Sequence, residues 1–65
     1  MRLDPNKCKK KMAENCLDVS RLTEATGLSF KTISTAVRGM TEPHAKNVKK
    51  ICEALKCEPA EILED

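Results

Sequence analysis

Aromatic side chains are almost missing from this chain. Phe30 stands alone, with no Trp and no Tyr in 65 residues. The core must therefore come from Leu, Ile, Val, Met, Ala and Cys, a palette that suits a small helical bundle. Glycine is nearly as scarce: Gly27 and Gly39 are the two, so each is informative as a helix stop. No apolar run reaches the length of a membrane span, which excludes a transmembrane helix. The opening stretch MRLDPNKCKKKM lacks the apolar segment of a secretory signal. There is no glycine-rich phosphate loop, and His44 is the lone histidine. Carboxylates cluster only toward the C-terminus, where nothing suggests a cleft. These absences leave no enzyme reading, no cofactor and no small-molecule substrate.

The four cysteines are present but lack a knuckle. Cys8 and Cys16 are separated by seven residues, Cys52 and Cys57 by four, and no C-x2-C pair offers the spacing that suits tetrahedral zinc. They read as small hydrophobes in a reduced, cytoplasmic protein, with no metal. At this length the chain forms one domain, residues 1–65, that buries only ~60% of its unfolded surface. The formal charge of +2 hides an asymmetry. Residues 1–50 carry eleven Lys or Arg against five Asp or Glu, and residues 51–65 carry Lys56 against five acids. A basic body with an acidic end fits one face for a polyanion, although solvated helix faces give the same count.

The central stretch, DVSRLTEATGLSFKTISTAVRG from Asp18 to Gly39, predicts two short helices joined by a tight turn. Asp18 caps a helix over about 19–26, and Gly27 ends it. Ser29 caps the next, about 30–38, and Gly39 ends that one. Leu22, Ala25, Leu28, Ile33, Ala36 and Val37 can face inward together. Phe30, Lys31, Ser34, Thr35 and Arg38 are then left outward on the second helix. Upstream, Asp4-Pro5 starts a helix to about Asn15, after a short lead. Downstream, Pro43 fits the first turn of a helix to about Lys56, where Val48, Ile51, Cys52 and Leu55 form one stripe. Glu58-Pro59 opens a last short helix through Ile62 and Leu63. The expected fold is all-α, a compact five-helix bundle.

With these residues placed, the chain resembles the lambda-repressor/Cro-like helix-turn-helix regulators, the XRE family. The resemblance rests on the combined spacing of Asp18, Leu22, Gly27, Ser29, Ile33, Gly39, Pro43, Ala54-Leu55 and Ile62, over roughly residues 5–63. It implies a DNA-binding homodimer that regulates transcription, with repression as the default, since no spare surface exists for an effector domain. It also implies that the second helix of the motif lies in the major groove. Carried over by position, the base-contacting candidates are Phe30, Lys31, Ser34 and Thr35. The phosphate-contacting candidates are Val19 through its backbone, Ser20, Arg38, Thr41, His44 and Lys46. The final helix, with Ile62 and Leu63 on adjacent faces, is the best candidate for the dimer surface.

Three positions depart from the family pattern. Members commonly pair an Arg in the first helix with a Glu near the end of the third. The matching residues here are Met12 and Val37, an exchange in which neither charge is left alone, and Met12 is expected to pack on Val37. Thr23 replaces a usual Ala and must place a hydroxyl. Met40-Thr41-Glu42 replaces a loop often rich in Lys or Arg. Phe30 admits two readings. It sits where a side chain can press on a thymine methyl, yet its spacing with Ile33 and Val37 also fits a core stripe. The alternative function is a protein-interaction module, antitoxin-like or anti-repressor, built on the same fold.

Overall fold

The computed structural model describes residues 2–64. Four α-helices follow one another: α1 (Pro5–Glu14), α2 (Val19–Thr26), α3 (Phe30–Val37) and α4 (Ala45–Leu55). A single 3-10 turn, Pro59–Glu61, follows α4. The described residues contain no β-strand. The expected five-helix count is thus corrected to four helices and a turn. Pro59 and Glu61 begin a helical turn, but the chain leaves it at Ile62, which is fully buried, and runs extended into a backbone pairing with the N-terminal lead.

That pairing closes the molecule. Leu3 and Leu63 face each other in an isolated antiparallel bridge. The Asp4 N–H donates to the Ile62 carbonyl at 2.8 Å, and the Glu64 N–H to the Arg2 carbonyl at 3.0 Å. The residues before α1 are therefore more than a lead, since Leu3 is fully buried in the core. Leu63, partly buried, packs against the same core, so the C-terminal segment is tied to the fold at Ile62 and Leu63.

The caps fall where the side-chain chemistry places them. Asp4 accepts from the Asn6 and Lys7 N–H groups at 2.8 and 3.2 Å, with Pro5 opening α1. Asp18 accepts from the Arg21 N–H at 2.8 Å, and Ser29 from the Thr32 N–H at 3.1 Å. Gly27 and Gly39 both take φ +74°. At Gly39 the turn is a full Schellman motif: Gly39 N–H bonds Ala36 and Met40 N–H bonds Thr35, at 3.1 and 3.0 Å. The start of α4 is a correction. Pro43 is buried outside the helix, and His44, extended at φ −66° and ψ 155°, precedes Ala45 as the cap residue. A proline biases the residue before it toward extended backbone, which keeps Glu42 out of a helix.

The core is aliphatic: Leu3, Leu22, Ile33, Ile51, Leu55 and Ile62 are its large, fully buried members. Cys8 and Cys52 join it as small hydrophobes. Burial pushes their thiols up, to about 11 and about 12 respectively, so both stay protonated at neutral pH. All four cysteines are unpaired thiols; Cys16 is exposed and so does not share the core role expected of the set.

Candidate nucleic-acid interface

The inner side of α3 holds it in place. Ile33 and Ala36 are fully buried, and Val37 is 8% exposed. The helix packs on α2 and on α1. Leu28, in the turn, is partly buried against the same core. Ala25 is exposed, so the inward set is one member smaller than the sequence reading gave. Thr23 resolves its own departure from the family pattern: its hydroxyl donates to the Val19 carbonyl at 2.8 Å, one turn back.

The outer side is set by what remains. Phe30 is 55% exposed, which removes it from the core and settles its double reading on the solvent side. Lys31 and Arg38 are exposed, and no ion pair involves either among the described residues. Thr35 is half-buried. Its hydroxyl donates to the Lys31 carbonyl at 2.8 Å, and its oxygen lies 3.3 Å from the donating hydroxyl of Thr41. Ser34 departs from the outward set. It is 8% exposed, next to buried Ile33 in sequence and three residues before Val37. Little of it is presented to a ligand.

Two helix starts hold the other candidates. At α2, Asp18 satisfies the Arg21 N–H, while Val19 and Ser20 lie in the first turn, where N–H groups have no partner within the helix. At α4 no side chain caps the end, so the N–H groups of Ala45, Lys46 and Asn47 are unsatisfied by the helix. Such ends attract anions through N–H groups and the helix dipole. His44 and Lys46 are exposed beside the second one. The sequence reading missed these backbone donors by starting α4 at Pro43. The available signal was the lack of Ser, Asp or Asn just before Ala45.

The place of the absent ion pair is now visible. Met12 and Val37 line one groove of about 460 Å³, together with Leu17, Val19 and Arg38. Both residues border the same apolar space. Met40, 66% exposed, continues the surface past the end of α3. No group of three or more His, Cys, Asp or Glu among the described residues is arranged to hold a metal ion. No helix among them is long and apolar enough to cross a membrane.

Two capped helices joined by a glycine turn, the second buried on one side and polar on the other, define a helix-turn-helix protein. The sequence pattern of the Cro/C1-type helix-turn-helix DNA-binding domain matches residues 7–65, and the chain belongs to that family. It is a family of DNA-binding domains. Among solved structures, the fold is similar to part of a chain described as native PhpD with cadmium atoms, with a TM-score of 0.80 and 22% identity. It is similar also to part of one described as PhpD with cadmium complexed with hydroethylphosphonate, with a TM-score of 0.79 and 22% identity. In both cases the whole of this chain is covered, and it spans 14% of the other's length. No curated protein matches.

Proposed function

We propose that the protein binds duplex DNA sequence-specifically as a homodimer, with α3 in the major groove, and represses transcription in the cytoplasm. The observation that carries this reading is the two-sidedness of α3: a buried inner stripe of Ile33, Ala36 and Val37 behind an outer edge where Phe30, Lys31 and Arg38 are exposed. Phe30, Lys31 and Thr35 face bases, with Ser34 contributing least because of its burial. Ser20, the Val19 backbone, Arg38, Thr41, His44 and Lys46 hold phosphates on either side. Eight helical residues span about 12 Å, enough for only a few base pairs, so specific affinity calls for two copies on half-sites about 34 Å apart.

The test is the salt dependence of affinity for duplexes selected from a random pool. Each phosphate contact adds a slope of roughly −0.9 in log K against log salt. Lys46→Ala should weaken all sequences alike and flatten that slope by about one contact, whereas Lys31→Ala should also change which sequence is preferred. A Lys31→Ala variant that keeps both affinity and preference would remove α3 from the interface. The protein-interaction reading is favoured by the exposed Phe30 and Met40. It gains if no duplex binds even at low salt.

A further inference from the structure

The hydrogen-bonding groups of α3 are unevenly disposed. The helix, FKTISTAV, contains no Asn, Gln or Arg, the side chains that form two hydrogen bonds with a purine edge. Its threonine hydroxyl groups are engaged in local bonds within the helix and its cap. Thr35 donates to the Lys31 carbonyl at 2.8 Å and, more weakly, to the Thr32 carbonyl at 3.3 Å. Ser29 donates to the Thr32 oxygen at 2.7 Å and accepts from the Thr32 N–H at 3.1 Å. Ser34 is buried. The start of the outer edge therefore presents an aromatic ring and an ammonium group, with Thr35 half-buried beyond them and the Arg38 guanidinium exposed at the far end.

An apolar ring in the major groove discriminates by what it fails to satisfy. Against guanine, adenine or cytosine it covers acceptors or donors without replacing their bonds to water. Against thymine it meets the C5-methyl group, the apolar feature of that groove. The geometry points to Phe30 as a reader of the thymine C5-methyl group, with the Lys31 ammonium supplying hydrogen bonds to an adjacent guanine. This rests on α3 lying in the major groove, and it narrows the ligand to half-sites in which a thymine faces the start of α3. Sequence preference then comes from methyl groups and one cation, rather than from paired hydrogen bonds to adenine.

Replacing thymine by deoxyuracil deletes that methyl and leaves base pairing unchanged. The half-site recovered by selection from a random duplex pool is made with thymine or with deoxyuracil at each thymine in turn, and affinity is read by fluorescence anisotropy at one fixed salt concentration. At the position facing Phe30, the deoxyuracil duplex should bind about fourfold more weakly, the worth of one buried methyl. Phe30→Ala, at an exposed position that leaves the core untouched, should bind both duplexes equally. Lys31→Ala should weaken both duplexes and keep their ratio. 5-Bromouracil, whose bromine fills the volume of the methyl, should restore affinity. Equal binding of thymine and deoxyuracil duplexes at every position, with salt-dependent affinity intact, overturns the methyl reading and leaves DNA binding standing. A selected half-site without thymine does the same. Failure to bind any duplex overturns both.

Discussion

Polar side chains are disposed differently in the two parts of this molecule. In the frame made by α1, α4 and the two chain ends, Lys7, Lys11 and Asn15 are used internally, while Lys9, Lys10, Lys46, Lys49 and Lys56 are exposed. Lys11 bridges Glu14 at 3.4 Å and Glu61 at 3.0 Å. Lys7 donates to the Leu63 carbonyl at 3.1 Å. Asn15 ties the end of α1 to the end of α4 by donating to the Leu55 carbonyl at 2.8 Å. In the helix-turn-helix, the cations of α3 and its end, Lys31 and Arg38, are exposed without an ion pair among the described residues. Charge that closes a fold is unavailable to a ligand. Net charge alone could not separate the two uses, since Lys and Arg occur in both parts.

The comparison breaks most severely if the two parts are uncoupled. Ile33 is fully buried and fastens α3 to the rest. Ile33→Ala should cost about 2–5 kcal/mol, the range for deleting a buried aliphatic side chain. In a chain this small that is a large share of total stability. Urea denaturation should show the loss, and DNA affinity should fall with the folded fraction. Lys31→Ala is the contrast, with stability within about 0.5 kcal/mol of the parent, as for an exposed position.

The seam between the parts offers a sharper test. Val37→Glu alone puts an unpaired carboxylate beside the apolar groove and should destabilise by about 2–4 kcal/mol. Adding Met12→Arg supplies the cationic partner that the family resemblance implies and should recover at least half of the loss. If the double variant is no more stable than Val37→Glu, the two positions do not couple. The joint exchange in the sequence would then need another cause.

Much of this was legible beforehand, for reasons that differ by element. Asp18 and Ser29 act locally through their side chains and Gly27 and Gly39 through positive-φ backbone, so these four alone place α2 and α3 to within a residue. Ile33 and Val37 follow from helical spacing. Phe30 could not be settled that way, because i, i+3, i+7 spacing fits both a core stripe and the edge beside one. Ser34 lies next to the buried stripe and was misjudged for the same reason. The chain-end bridge of Leu3 and Leu63 joins residues 60 apart in sequence, and no local pattern announces such a pairing. Pro43 misled because proline at a helix start and proline just before one look alike in sequence.

The two glycines measure how tightly the seam is packed. Both have φ +74°, so an added Cβ strains either by about 1 kcal/mol. At Gly27 that Cβ would meet nothing within 4 Å, whereas at Gly39 it would lie 3.2 Å from the Leu3 carbonyl oxygen and 3.2 Å from Pro5 Cγ. Gly27→Ala should therefore cost about 1 kcal/mol, and Gly39→Ala about 2–3 kcal/mol, the excess coming from overpacking. Matched thermal or urea midpoints for the two variants would contradict the close approach of α3 to the N-terminal lead.

The smallest effect belongs to the frame's own charges. Glu61 is held below the usual carboxylate value, first by the Glu58 N–H it accepts at 2.7 Å and then by the Lys11 ammonium at 3.0 Å. A carboxylate with a lowered folded value contributes stability above its ordinary value of 4.5, and that contribution disappears as pH falls through the lower folded value. Glu61→Gln keeps an oxygen that can accept from the Glu58 N–H but removes the charge. It should be less stable than the parent at pH 6, and the gap should close toward pH 3. The difference should be slight, since the pair is exposed to solvent and screened. An NMR titration of the Glu61 side-chain carboxyl should give a midpoint below 4.5. DNA affinity at pH 6 should not change, because Glu61 and Lys11 belong to the closure of the frame. If Glu61→Gln altered affinity as Lys31→Ala does, the division between charges that close the fold and charges left for DNA would fail.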